Sequence, residues 1–218
     1  MLNREAIIRD IEAYKIIVIM RGLTKEQLVC TVEAMEKGGI RLVEVTFDQS
    51  GKTTDAETAE AIRTLREAFN GRVHVGAGTV MTPEQVRLAY EAGAEYIISP
   101  DACEEIIKLT RELGMVSIPG VFTPTEAAMA NRWGADFVKL FPNSEVKLSY
   151  LKCLTVPLSH IRFLAVGGVN ADNLAEYLAA GAKGIGVATA IVNKTAIAAG
   201  EYGKITEYAR AFTEKLEG

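Results

Sequence analysis

The chain has 218 residues, 49% of them hydrophobic and 24% charged, which suits one compact domain with a large core and leaves no surplus for a second. A formal net charge of −4 excludes the clustered cationic surface that nucleic acid or an acidic membrane requires, so the expected partners are small molecules. The three cysteines, Cys30, Cys103 and Cys153, lack metal-type spacing, and His74 and His160 are the only histidines, so the composition predicts a cytoplasmic protein with no metal and no other cofactor.

In chain order, residues 1–14 read as a helix that precedes the first strand. Their opening, MLNREAIIRD, lacks a cationic-then-apolar export pattern, and the apolar run that follows, KIIVIM, is far too short to span a bilayer. KIIVIM is instead the first of eight short runs rich in β-branched residues. The others are RLVEVTF, VHVGAG, YIIS, MVSIP, FVKLF, FLAV and GIGV. Helical spacing separates them, as in Leu28, Val32 and Met35, in Ile106, Leu109 and Leu113, and in Ile205, Ala209, Phe212 and Leu216.

Capping chemistry marks several strand-to-helix turns. Thr82-Pro83-Glu84-Gln85 and Thr123-Pro124-Thr125-Glu126 each present a cap oxygen, an N1 proline and an N3 amide or carboxylate. Glycine then ends helices just before strands in GGIRLVEV, GAEYIISP, GADFVKLF and GAKGIGVA. Eight strands alternating with helices in a chain of this length predict an α/β fold, a (β/α)8 TIM barrel with an extra N-terminal helix, over residues 1–218 as a single domain. An open doubly wound sheet is the alternative arrangement of the same elements.

A barrel carries its chemistry at the carboxyl ends of its strands, so charged residues inside apolar strands are the first candidates. Alternation in Phe137-Val138-Lys139-Leu140-Phe141 sends Phe137, Lys139 and Phe141 to one face. Likewise Leu42, Glu44 and Thr46 share a face directed to the lumen. Burial lowers a lysine pKa and supplies the neutral amine needed to attack a ketone, while a buried carboxylate can move protons. The pattern alone accommodates a structural Glu44–Lys139 ion pair as well. Anion-binding candidates follow the seventh and eighth strands, in Val166-Gly167-Gly168-Val169-Asn170 and Gly186-Val187-Ala188-Thr189. Gly76-Ala77-Gly78-Thr79 and Ser99-Pro100 also end strands, offering small residues for close substrate approach and a hydroxyl for a carboxylate.

EVTF, GAGTV, ISP, PGVFTPTE, VKLFP and AVGGV, in that order and at strand ends, resemble the 2-keto-3-deoxy-6-phosphogluconate / 4-hydroxy-2-oxoglutarate (KDPG/KHG) aldolase family over nearly the whole chain. The resemblance implies a metal-independent class I aldolase, usually homotrimeric, that cleaves a 2-keto-3-deoxy-6-phospho sugar acid to pyruvate and glyceraldehyde 3-phosphate, or 4-hydroxy-2-oxoglutarate to pyruvate and glyoxylate. It implies Schiff-base formation at Lys139 and proton handling by Glu44. It also implies substrate contacts by Arg21, Thr79, Pro100 and Phe141, with Val166, Gly167, Gly168, Ala188 and Thr189 in the loops at the far end of the substrate.

Three positions depart from the family pattern. Asp48 stands where some members carry an arginine in EVTLRT, leaving carboxylate recognition to Arg21. Val166 replaces the threonine of PTGG and resembles galactonate-type enzymes. Ala188-Thr189 replaces a Gly-Ser pair. The competing expectations are a galactonate-type or non-phosphorylated keto-deoxy acid aldolase, an isomerase or epimerase on the same barrel, and a non-catalytic sugar-acid-binding barrel.

Overall fold

A computed structural model describes residues 3–216. Residues 1 and 2 of the expected N-terminal helix and residues 217 and 218 of the expected domain lie outside the described residues. The helix itself is α1, Arg4–Tyr14, capped by the Asn3 side chain, which accepts from the Ala6 N–H. The strands that follow are β1 Ile16–Met20, β2 Leu42–Thr46, β3 His74–Gly78, β4 Tyr96–Ile98, β5 Val116–Ile118, β6 Gly120–Val121, β7 Val138–Leu140, β8 Phe163–Val166 and β9 Gly184–Val187. Between them run α2 Lys25–Lys37, α3 Asp55–Ala68, α4 Pro83–Glu91, α5 Glu104–Glu112, α6 Pro124–Trp133, α7 Leu148–Thr155 and α8 Leu174–Ala179. The chain ends with α9 Lys194–Ala198 and α10 Tyr202–Thr213.

All pairings are parallel, in the order β5-β4-β3-β2-β1-β9-β8-β7-β6. The expected fifth strand, MVSIP, is β5; the ladder breaks at Pro119, which has no N–H to give, and resumes beyond the expected strand in the two residues of β6. The proline still serves the other side: its carbonyl accepts the Lys139 N–H at 2.8 Å, and the Ser117 carbonyl accepts from Asp136 and Phe137. The eight expected strands are thus present, arranged as a nearly closed barrel rather than an open doubly wound sheet.

The capping signals act as read. Thr123 and Glu126 form a reciprocal capping box at α6, and Thr82 accepts from the Gln85 N–H at α4. Gln85 itself reaches one residue further back, accepting from the Met81 N–H at 2.8 Å. Gly134, at φ 102°, closes α6 in the left-handed conformation that glycine adopts without a Cβ clash.

Period-2 alternation divides the strand residues into two cores. Val18, Val43, Val75, Ile97, Val138, Ala165 and Ile185 face outward and pack under helix residues such as Leu28, Val32, Met35, Ile106, Ile205, Ala209 and Phe212. Ile17, Leu42, Tyr96, Ile98, Val116, Ile118, Phe137 and Leu164 fill the lumen together with Ile7, Ile8 and Ile11 of α1. The N-terminal helix therefore plugs one end of the barrel. Fully buried Ile11 fixes it there, and Ile11→Ala removes about 2–5 kcal/mol of stability. Polar ties supplement the plug: Arg4 meets Asp136 at 2.8 Å, and Asp10 lies 3.0 Å from His74 Nε2. With one end sealed by aliphatic side chains, polar residues in the lumen are left to the other end.

Candidate active site

Glu44 and Lys139 occupy the polar end of the lumen, 3% and 8% exposed. Their strands place them by register: Glu44 pairs with Ile19 and Gly76, and Lys139 with Gly120 and Leu164. The glycines of the GAG motif do not hold space open for a substrate, as their size suggested. A β-carbon on Gly78 would collide with Glu44 Oε1, and one on Gly76 with the ring of Tyr96, whose hydroxyl donates to the Val43 carbonyl. The space belongs to protein side chains.

Burial controls both titrations. It lowers the Lys139 pKa, aided by the cationic Arg21 and opposed by Glu44. It raises the Glu44 pKa against the pull of Lys139 and then Arg21. The two groups feel each other's charge without sharing a hydrogen bond, so the pair is not the tight structural ion pair that the sequence pattern also allowed. Lys139 Nζ lies 4.7 Å from the ring centroid of Phe141, which stands 38% exposed at the rim. The arrangement places a buried amine of lowered pKa and a buried carboxylate of raised pKa within each other's electrostatic reach.

Arg21 and Thr79 form the next part of the rim. An Arg21 Nη2 donates to Thr79 Oγ1 at 3.1 Å, and Gln49 Nε2 donates to the Thr79 carbonyl at 3.1 Å. Thr79 takes φ 55°, a left-handed conformation that is strained for a β-branched residue. Asp48 is turned to local use. Its carboxylate accepts from Ser50 N and Oγ, Lys52 N and Thr53 N at 2.7–3.0 Å, and these bonds, the Ser50 hydroxyl foremost, hold its pKa down to about 2. It folds the loop between β2 and α3.

On the opposite side, Val166-Gly167-Gly168 and Ala188-Thr189 leave adjacent strands, since Val166 pairs with Gly186. The backbone turns through φ 103° at Gly167 and 76° at Gly168. Asn143, 1% exposed, supports this turn by donating to the Gly167 carbonyl at 3.1 Å. The N–H groups of Gly168 and Thr189 have no backbone acceptor among the described residues. Pro100 follows β4 with its carbonyl packed on Gly120, the register partner of Lys139. Gln49, Asn143 and Tyr96 were not singled out by sequence reasoning. A buried asparagine directly after the Phe-Pro of a charged strand was the available signal for Asn143.

A cavity of about 890 Å³ opens beside the lumen, between α2 and α3, and shares Arg21 and Thr46 with its rim but reaches neither Lys139 nor Glu44. Among the described residues no group of three or more His, Cys, Asp or Glu side chains is placed to hold a metal ion. The cysteines Cys30, Cys103 and Cys153 are all unpaired, and no described helix is long and apolar enough to cross a membrane.

Comparison with known proteins gives a consistent result. The profile of the family described as KDPG and KHG aldolase matches residues 7–208. The chain is 34% identical to the 2-dehydro-3-deoxy-6-phosphogalactonate aldolase of Escherichia coli K12 over 173 residues, 79% of this chain and 82% of that one. It is also 34% identical to the KHG/KDPG aldolase of the same organism over 196 residues, 88% and 86% of the two chains. Among solved structures, a native KDPGal structure superposes with a TM-score of 0.83 at 31% identity, covering 93% of this chain and 94% of that one. KDPG aldolase from Legionella pneumophila, solved with pyruvate captured as a covalent carbinolamine, superposes at 0.82 with 28% identity, covering 92% and 95%.

Proposed function

We propose, from the premise that this chain belongs to the KDPG and KHG aldolase family and is a carbon–carbon lyase, that Lys139 is its Schiff-base residue and Glu44 its proton carrier. The observation that carries the reading is a lysine buried in the lumen, its pKa lowered, facing a buried carboxylate that does not neutralise it through a direct bond.

In the cleavage direction, neutral Lys139 attacks the C2 ketone of a 2-keto-3-deoxy-6-phospho sugar acid and forms a carbinolamine. Loss of water leaves an iminium, and its nitrogen accepts the electron pair of the breaking C3–C4 bond as the C4 hydroxyl loses its proton. Glyceraldehyde 3-phosphate departs, the enamine is protonated at C3, and water releases pyruvate. With 4-hydroxy-2-oxoglutarate the departing aldehyde is glyoxylate. Glu44, directly or through one water, supplies and removes the protons at each stage; burial raises its pKa, so it holds a proton more readily than an exposed carboxylate does.

Arg21 and Thr79 receive the substrate carboxylate and Phe141 flanks the iminium. The free N–H groups near Gly168 and Thr189 receive the phosphate, with Val166, Gly167, Ala188 and Pro100 shaping the walls. Val166 in AVGG favours a galactonate-type C4 preference, which parallel cleavage assays of the two C4 epimers decide. We assign the working form to a homotrimer of single-domain subunits in the cytoplasm, in keeping with the family resemblance and three unpaired cysteines; sedimentation equilibrium tests the assembly.

The decisive experiment is mass spectrometry with peptide mapping after incubation with pyruvate and borohydride. One reduced adduct on Lys139, absent in Lys139→Met, is expected. Folded protein without an adduct would instead support the isomerase or the non-catalytic barrel.

A further inference from the structure

The loop that departs from the family pattern at Asp48 is also the loop that walls the cavity between α2 and α3. Asp48, Ser50, Lys52 and Thr53 form one side of it. Four donors, making five bonds to the Asp48 carboxylate, hold that wall in shape and tie the only acid the loop contributes to the loop itself.

The remaining acids of the cavity are bonded as well, and only Glu60 of them has its charge paired. Glu57 accepts from Thr54 N at 2.7 Å and Thr54 Oγ1 at 2.8 Å as the capping group of α3. Glu60 is held between Lys25, at 3.1 Å, and Arg63, at 2.7 Å. The cations of the lining, Arg21, Lys25, Lys52 and Lys194, outnumber the three acids Asp48, Glu57 and Glu60 by one. Among the described residues neither Lys52 nor Lys194 forms an ion pair, and Arg21 meets only the Thr79 hydroxyl. Lys194, from the start of α9, lies over the β1–α2 loop with its Nζ 3.3 Å from where a β-carbon on Gly22 would stand. A residue distant in sequence is thereby brought to the mouth of the cavity.

Met20, Leu23, Leu28, Val45, Ala56 and Ala61 supply the apolar part of the lining, and Thr24, Ser50 and Thr53 add hydroxyls. With Lys25 paired to Glu60, the cations Arg21, Lys52 and Lys194 line a partly aliphatic cavity of about 890 Å³ against the two carboxylates Asp48 and Glu57, and this excess of one positive charge favours a small molecule with a hydrocarbon body and an anionic end. We infer that this cavity is a second anion-binding site, taking a short aliphatic acid through Lys52 and Lys194. It is separate from the lumen site but joined to it at Arg21 and Thr46.

The ligand can reach the cavity as a free acid or as the tail of a longer substrate anchored in the lumen. Titration calorimetry with glutarate addresses the site itself. Wild-type protein is expected to bind glutarate in the millimolar range, as a few exposed charge contacts allow, and Lys52→Ala/Lys194→Ala to bind it about tenfold more weakly. Lys52→Arg/Lys194→Arg is expected to retain binding. Circular dichroism and pyruvate trapping at Lys139 should be unchanged in both double variants.

Equal glutarate affinity in wild type and the alanine variant, or no glutarate binding by the wild type, overturns the site. Absence of a pyruvate adduct on Lys139 instead overturns the Schiff-base reading and leaves the calorimetric result standing. Repeating the titration on borohydride-reduced, pyruvate-loaded protein separates the sources. Retained affinity identifies a free acid, and lost affinity identifies a tail that enters from the lumen.

Discussion

The absence of a side chain at Gly78 leaves the space that Glu44 Oε1 occupies on the neighbouring strand. Gly78→Ala therefore displaces the carboxylate without altering its chemistry. The expected result is a fall in kcat of about 10- to 100-fold, less than the roughly 100- to 10,000-fold that one positioned acid–base group supplies because the carboxylate is displaced and not removed. Pyruvate trapping at Lys139 should persist, since the amine is untouched. Steady-state kinetics and adduct mass spectrometry on the same preparation check both halves, and unchanged kcat would remove Glu44 from the mechanism.

Glu44→Gln tests the electrostatic coupling. The carboxylate favours the ammonium form of Lys139 and partly offsets the lowering by burial. Without it the lysine pKa falls further, so the pH profile of adduct formation shifts toward acid while turnover slows. Trapping yield measured across pH reads the shift directly; a profile displaced toward alkali would contradict the assigned sign.

Gln49→Ala removes one of the two side chains that hold Thr79. The other, Arg21, remains, and Thr79 must keep φ 55° with less support. One lost hydrogen bond of about 0.5–1.5 kcal/mol corresponds to a rise in KM of roughly 2- to 10-fold, with kcat less affected. Gln49→Glu, which cannot donate, should behave like the alanine variant, whereas a purely steric role for Gln49 would be rescued by it.

These predictions draw unequally on sequence and structure. The barrel was legible because each of its strands carries its own signal: Leu42, Glu44 and Thr46 alternate with Val43 and Val45, and Thr123 and Glu126 cap α6 where the spacing indicated. Lys139 and Glu44 stood out because a charge within an apolar strand is costly. The uses of Gly76 and Gly78 were misjudged, since a small residue signals close approach but not what approaches. In both cases the neighbour is a protein side chain. Asp48 read as a departure in substrate recognition, yet its carboxylate bonds only its own loop, a role set by backbone geometry that composition does not encode. Lys52, Gln49 and Lys194 carried no local pattern; they matter through folding that joins segments far apart in the chain.

His74 predicts a pH-dependent tie between α1 and the barrel. Its Nδ1 lies 3.1 Å from Glu95 Oε2 and its Nε2 3.0 Å from Asp10 Oδ2. Burial, the largest influence, lowers its pKa, but Glu95 and Asp10 together outweigh it and leave the value raised above 6.5. A raised histidine pKa contributes stability that is complete below the unfolded value and fades as pH rises through the folded one. Thermal unfolding on either side of that window should show wild type losing stability relative to His74→Gln as pH rises. Parallel curves for the two proteins would exclude the tie.

Lys139→Met brings the functional and structural readings into opposition. The variant should lose turnover and the pyruvate adduct, yet be more stable by about 1–2 kcal/mol near neutral pH, because an apolar side chain of similar length replaces a buried amine. The sign of the pH dependence follows from the lowered lysine pKa. The unfolded chain binds the proton more tightly, so the native lysine is most destabilising at low pH and its penalty vanishes above the unfolded value of 10.5. The stability gain of Lys139→Met should therefore shrink as pH rises toward that value. A variant less stable than wild type at neutral pH would mean that Lys139 contributes to holding the barrel, and that its burial serves packing rather than chemistry.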